Sequence, residues 1–142
     1  MLLLSALEKE KDFAPLLSAL KKEKKPVLVT GIASSLQELF PGAVLHATGE
    51  KALILVPGEV QAASLAKALS SVFERTLFFP PRDFSLVRVD SSGRDFSLQR
   101  LKVLLRVAKG DFDCVVTTPE AACQATIPPE VLGRLSKRFA VG

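Results

Sequence analysis

A glycine loop between an apolar segment and a helical pattern is the part of this sequence closest to a chemical site. Gly31 follows the apolar residues 26–30, which predict a short buried strand, and a helical pattern comes after it. A phosphate-binding loop has this frame, but it needs the pattern G-x-x-x-x-G-K-S/T, whose lysine contacts phosphates and whose hydroxyl contacts Mg²⁺. Counted from Gly31, the last three positions hold Leu36, Gln37 and Glu38. We expect a degenerate phosphate loop, and we assign no catalytic, cofactor-binding or metal-binding residue.

Two other interpretations of this loop stay open. Gly31 could be only a tight turn at the end of a strand, since glycine adopts backbone conformations that other residues avoid. Backbone N–H groups at the start of the following helix could also hold an anion weakly without the lysine. Glu38 argues against a triphosphate in either case, because it places a carboxylate where the phosphates and their metal ion would lie.

The composition is typical of a folded domain. The chain has 142 residues, of which 48% are hydrophobic and 24% are charged, which is enough for one globular core. Its longest apolar runs, such as 52–57 and 76–81, are far shorter than the roughly 20 residues of a membrane span. Charged residues follow the apolar residues 1–4 almost at once, so we expect no secretion signal. The sequence predicts a soluble, cytoplasmic protein with no membrane partner.

Few side chains suggest a metal or nucleophile site. Cys114 and Cys123 lack C-x-x-C spacing and are expected to be reduced thiols, one in a strand and one on a helix. His46 is the only histidine, and we expect it at a surface or a helix end. A set of aspartates is expected to cap helices and stabilise turns and not to bind metal: Asp90, Asp95, Asp111 and Asp113.

The net charge of +4 raises the question of a nucleic-acid partner. Between Arg82 and Arg100 the arginines alternate with aspartates, and the chain has no Trp or Tyr on which bases could stack. We therefore expect no direct DNA binding by this chain. A DNA-binding face built from residues 82–100 remains the weaker alternative.

Alternating strands and helices predict the fold. Continuous apolar runs predict four strands, at 26–30, 52–56, 76–79 and 112–117. Helical spacing predicts the helices between them, near 15–20, 36–47, 60–73 and 98–108, with a capped helix starting after Thr118. Pro41 and Gly42 should kink or split the second of these, and residues 80–94 should form an irregular loop. The order predicts an α/β fold, with a parallel sheet and helices on both faces.

The pattern also divides the chain into three parts. Residues 1–25 are an N-terminal helical segment, and residues 26–127 are the α/β domain with the degenerate nucleotide loop. Residues 128–142 begin with two prolines and end in a strand-like stretch at 138–142. We expect this last part to start an inserted, following domain.

Two segments resemble motifs of superfamily 2 helicases. Residues 52–57, ALILVP, resemble the segment after the P-loop, and residues 115–121, VVTTPEA, resemble the later Thr-Pro motif. The acidic D-E-x-x motif of those helicases does not occur in this sequence. The order of four segments looks like the amino-terminal, UvrB-like module (the domain 1a region) of bacterial transcription-repair coupling factors: 90–92, 99–101, 116–121 and 128–129.

The resemblance implies a P-loop NTPase or helicase-like (RecA-like) half-domain without its nucleotide site. The parent protein would release RNA polymerase stalled at DNA lesions, using an ATP- and Mg²⁺-dependent DNA translocase elsewhere in its chain, and would recruit UvrA for nucleotide excision repair. This segment would hold no cofactor itself. It would act as a non-catalytic scaffold and autoinhibitory platform for other domains of the same chain. The alternative is the nucleotide-binding domain of a diverged UvrB-like or superfamily 2 helicase.

Overall fold

The computed structural model describes residues 7–22, 26–82 and 92–135; for Ser35 and residues 92–96 it describes the backbone alone. In these ranges the chain forms six α-helices and three strands, and a 3₁₀ turn at Ser34–Leu36. The elements, in chain order, are α1 Phe13–Lys22, α2 Leu39–Thr48, β1 Ala52–Leu55, α3 Glu59–Ser70, β2 Thr76–Phe79, α4 Ser92–Ala108, β3 Cys114–Thr117, α5 Pro119–Cys123 and α6 Pro129–Leu135.

The three strands form one parallel sheet in the order β1-β3-β2. Cys114 in β3 lies opposite Ala52 in β1 and Thr76 in β2, and the register continues to the ends of all three strands. All four residues of β3 are buried. This agrees with its unbroken apolar sequence, since a strand covered on both faces does not need to alternate with polar residues.

Helices cover both faces of this sheet. On one face, α2 and α3 supply most of a buried cluster that includes Cys114 and Val116 of β3: Leu45, Ala62, Leu65, Ala66 and Leu69. On the other face, Val103 of α4 and Ala121 of α5 pack with Leu77, Phe79 and Val115. The α/β fold predicted from the sequence, with a parallel sheet between two helical layers, is confirmed.

The predicted strand at residues 26–30 is wrong. This segment has no strand assignment, and Leu28 within it is 88% exposed. An apolar composition favours an extended backbone, but a strand also needs a neighbour for its N–H and C=O groups. In the described residues, β1 pairs only with β3 and leaves this segment outside the sheet.

Two helix boundaries also differ from the predictions. α2 begins at Leu39, so Pro41 lies in its first turn, where the missing N–H has no intrahelical partner to lose. The helix continues through Gly42 to Thr48 without interruption, so the predicted split does not occur. α4 begins at Ser92, inside the predicted loop 80–94, and residues 83–91 of that loop lie outside the described residues.

The predicted helix ends around β3 are confirmed. α4 is followed by Gly110, whose φ of 68° is the left-handed conformation of a C-terminal glycine cap. On the other side of β3, the Thr118 side-chain oxygen accepts a hydrogen bond from Ala121 N at 3.2 Å, and Pro119 opens α5. These caps fix where the chain enters and leaves the central strand.

The C-terminal part contains a helix that the sequence did not predict. α6 spans Pro129–Leu135 and packs against α4, with Leu132 buried. Only that one residue of the helix is buried, so its apolar periodicity is too weak to predict it. The predicted strand-like stretch at 138–142 and residues 1–6 and 23–25 of the predicted N-terminal helical segment lie outside the described residues.

The packing of α3 can be tested by two truncations on the same helix. Leu69 is 4% exposed and Val60 is 82% exposed. We expect Leu69→Ala to lower the free energy of unfolding by about 2–5 kcal/mol, because it leaves a cavity in the core. Val60→Ala should change it by about 0.5 kcal/mol or less. Urea denaturation followed by circular dichroism measures both, and equal losses in the two variants would contradict this packing.

Candidate functional site

The Gly31 loop has an open structure. Gly31 has φ of 80°, and a Cβ atom added there would meet no described atom within 4 Å. Two loop amides are already in use, since Leu36 N donates to Ala33 O at 2.8 Å and Gln37 N donates to Ser34 O at 3.4 Å. The loop therefore does not follow a strand, and its N–H groups are not gathered and free to surround a phosphate.

The residues in the positions of the missing P-loop groups stand at the start of α2. Leu36 is partly buried, whereas Gln37 and Glu38 are exposed. Glu38 is the N-cap residue of α2, and its side chain makes no capping hydrogen bond. A carboxylate at this end suits the positive end of the helix dipole and opposes the approach of a phosphate to the same N–H groups.

Two of the four aspartates predicted as caps or turn residues form ion pairs with arginines. Asp111 accepts a hydrogen bond from Arg106 at 2.9 Å, and Asp113 accepts one from Arg75 at 2.6 Å. Both aspartates lie in the loop between α4 and β3, which agrees with their predicted place in turns or at helix ends, and each also pairs with an arginine. Asp90 lies outside the described residues and the side chain of Asp95 is not described, so their prediction stays untested.

His46 lies in the last turn of α2, where its Nδ1 is 2.6 Å from a Glu8 carboxylate oxygen. The predicted helix-end position of this histidine is confirmed. In the described part of the chain, no three His, Cys, Asp or Glu side chains come together in a possible metal site.

The two thiols occupy the predicted strand and helix. Cys114 is buried in β3, and Cys123 is exposed at the end of α5. Burial raises the pKa of the Cys114 thiol; its hydrogen bond with Thr76 lowers this pKa and the charge of Asp113 raises it. Cys114 therefore stays protonated near neutral pH and does not have the lowered pKa of a nucleophilic cysteine.

A cavity in the described part of the chain lies between α1, α2 and β1. It has a volume of about 640 Å³ and a mainly apolar lining that includes Leu16, Val27, Val29, Val44 and Ile54. Lys51 at its rim donates to Gly110 O and stacks over the Phe112 ring. Among the described residues, no buried polar side chain without a partner lines this cavity, so its geometry gives no ligand a fixed orientation.

A second, smaller cavity lies at the carboxyl end of β2, and a buried cation lines it. Arg100 of α4 is 3% exposed; its Nη1 donates to Pro80 O at 2.6 Å, and its guanidinium carbon lies 4.0 Å from the centre of the Phe79 ring. Its Nη2 is buried and has no hydrogen-bond partner in the described residues. One donor of this charged group is therefore unsatisfied.

A second arginine stands beside it. The cavity has a volume of about 300 Å³, and its described lining comprises Arg82, Ser97, Arg100, Leu101, Leu104 and Ile127. Burial lowers the pKa of the Arg100 guanidinium, and the positive charge of Arg82 lowers it further. Both effects mean that the charged form of Arg100 is unfavourable where it lies, and that a bound anion would stabilise it.

Hydrogen bonds from two directions hold the segment that carries Arg82. Arg82 N donates to Gln124 Oε1 at 2.8 Å, and the Thr117 hydroxyl donates to Phe79 O at 2.7 Å. Together with the bond from Arg100 to Pro80 O, they fix the chain just after β2. The carboxyl ends of strands are where open α/β sheets usually bind ligands.

In the sequence, Arg82 and Arg100 are the ends of a segment in which arginines alternate with aspartates, and no site was predicted there. The spacing along the helix does indicate that Arg100 faces the sheet. It lies three and four residues before Val103 and Leu104, which pack against the sheet. An arginine on the apolar face of an amphipathic helix is a candidate for a buried functional cation.

Comparison of this chain with protein-family models, with curated proteins and with solved structures gives no match. Within the described residues, none of the helices combines the length and the apolar character that crossing a membrane requires.

The two cysteines should differ sharply in reactivity. We expect Ellman's reagent to modify Cys123 rapidly in the native protein and to modify Cys114 only as the protein unfolds, because burial keeps that thiol protonated and out of reach. Cys123→Ser should abolish the rapid phase, whereas Cys114→Ser should leave it unchanged. Two rapid thiols in the folded protein would contradict the buried position of Cys114.

Proposed function

We propose that this chain is a non-catalytic, UvrB-like module of an ATP-dependent transcription-repair coupling factor in the cytoplasm. The observation that carries the proposal is the Gly31 loop. It has Gln37 and Glu38 in place of the phosphate-binding lysine and the metal-binding hydroxyl, and Glu38 stands at the N-terminus of α2. Losing both groups removes most of the electrostatic stabilisation that a nucleotide triphosphate needs.

The sheet supports the second part of the proposal, a scaffold role. Ala52 N and Val56 N donate to Asp113 O and Thr117 O, on the side of β1 that faces β3. The intervening residues Leu53 and Leu55 direct their backbone groups to the opposite edge, which pairs with no strand in the described residues, and their side chains are more than half exposed. Unpaired strand edges with apolar side chains are surfaces that proteins normally cover.

In this proposal, other domains of the same chain cover that edge. The translocase, with its ATP and Mg²⁺, lies elsewhere in the parent protein, and contacts with RNA polymerase, UvrA and DNA are made by the parent protein. The chain then contributes a rigid platform and helps to hold the parent in an autoinhibited arrangement. Its own residues take no part in ATP hydrolysis.

A calorimetric titration with Mg-ATP tests the absence of a nucleotide site. We expect no saturable binding to the Gly31 loop, because that loop has neither the lysine nor the free N–H groups that a triphosphate requires. The variants Gly31→Val and Arg82→Gln show whether any observed binding heat comes from the Gly31 loop or from the cavity at the carboxyl end of β2. Gly31→Val is strained at a φ of 80° and disturbs the loop directly.

Micromolar, saturable binding that Gly31→Val abolishes and Arg82→Gln preserves would contradict the proposal. It would identify the loop as a working nucleotide site and favour a diverged UvrB-like or superfamily 2 helicase domain instead. Heat that Arg82→Gln alone removes would belong to the cavity at the carboxyl end of β2.

A further inference from the structure

The buried guanidinium of Arg100 is incompletely satisfied by the described protein. Nη1 bonds to Pro80 O and the group stacks on Phe79, but the buried Nη2 has no partner in the described residues. A buried charge is costly unless hydrogen bonds and an opposite charge compensate it. In the described residues, the salt bridges of the protein involve Arg75, Arg106 and His46, and Arg100 has none.

The residues around Arg100 add positive charge and, in the described lining, no negative charge. Arg82 lines the same cavity of about 300 Å³, and the described lining residues contain no carboxylate. Two guanidinium groups thus share a space whose remaining described walls are Ser97, Leu101, Leu104 and Ile127. Guanidinium groups have the geometry and charge that bind the oxygens of phosphate or carboxylate groups.

We infer that this cavity binds the terminal phosphate of a small phosphate monoester, with the guanidinium groups of Arg100 and Arg82 as its cationic partners. A monoester phosphate carries about −1.5 to −2 charges at neutral pH, which matches two arginines better than the single charge of a carboxylate does. The apolar residues Leu101, Leu104 and Ile127 suit a small apolar group attached to the phosphate.

The burial of Arg100 limits what can reach it. Because the Arg100 side chain is 3% exposed, a ligand contacts its guanidinium only by entering the cavity, which phosphodiesters along a nucleic-acid backbone do not do. A volume of about 300 Å³ is at the lower end of cavities that hold small ligands. The site is therefore distinct from an extended DNA-binding face over residues 82–100.

The probe for this site is phenyl phosphate, titrated into the whole 142-residue protein in phosphate-free buffer at low salt and about pH 8, where the monoester is dianionic. We expect saturable binding by calorimetry. Arg82→Gln should weaken it at least about tenfold, since it removes one of two cationic partners. Arg106→Gln is the matched control, because Arg106 lies on the same helix but pairs with Asp111 outside the cavity, and it should leave the affinity unchanged.

Arg100→Lys keeps a positive charge but removes Nη2, and it should also weaken binding. If circular dichroism shows that this variant does not fold, Arg82→Gln decides the question alone. Gly31→Val should leave phenyl phosphate binding unchanged, so the inference stands or falls independently of the proposed function.

Four results would overturn the inference. The first is no saturation at millimolar phenyl phosphate, and the second is an equal loss of affinity in Arg82→Gln and Arg106→Gln, which would indicate general charge attraction. The third is benzoate binding as tightly as phenyl phosphate, which would make the ligand a carboxylate. The fourth is displacement of phenyl phosphate by an oligonucleotide with hydroxyl ends, which would assign the site to a nucleic-acid backbone.

Discussion

The pairing of β3 with a strand on each side is the interaction on which the rest of this structure depends. Cys114 to Thr117 bond to β1 and β2 along their whole length and are buried in full. Their side chains alternate between two clusters, with Cys114 and Val116 packed under α2 and α3, and Val115 packed under α4 and α5. Four residues thus join the two helical layers.

The same strand determines where chemistry is possible. Thr117, its last residue, bonds to Phe79 O, and the Phe79 ring in turn supports Arg100. The guanidinium then reaches Pro80 O and stands in a cavity with Arg82. The arginine cavity is therefore built on the carboxyl ends of the sheet, whereas the Gly31 loop lies outside the sheet. The two places therefore differ in their position relative to the strands. The arginine cavity is held by the strand ends, whereas the Gly31 loop has the sequence context of a phosphate site but no strand before it.

The sequence predicted most of the elements because their signals are local. β1, β2 and β3 are short apolar runs, and Pro119, Thr118 and Gly110 mark helix ends through their own backbone preferences. The segment 26–30 has an equally strong local signal and fails, because a strand also requires a neighbour. Pro41 is a second case in which a local signal was not sufficient. A proline interrupts a helix in its interior but not in its first turn, so its effect depends on where the helix begins.

The candidate site was harder to predict than the fold. Gly31, Leu36, Gln37 and Glu38 could be compared with a motif because they are contiguous in sequence. Arg82 and Arg100 are eighteen residues apart, and their convergence depends on the packing of α4 against the ends of the strands. Local sequence reports the charge of each arginine, but it does not report that one of them is buried beside the other.

Residue-resolved hydrogen exchange of the native protein tests the central claim most directly. We expect the amides of residues 114–117 to exchange only through global unfolding, and those of residues 27–30 to exchange nearly as fast as in an unfolded chain. Equal protection of both segments would contradict it. That result would place a fourth strand in the sheet before Gly31 and restore the strand-loop-helix frame of a nucleotide site.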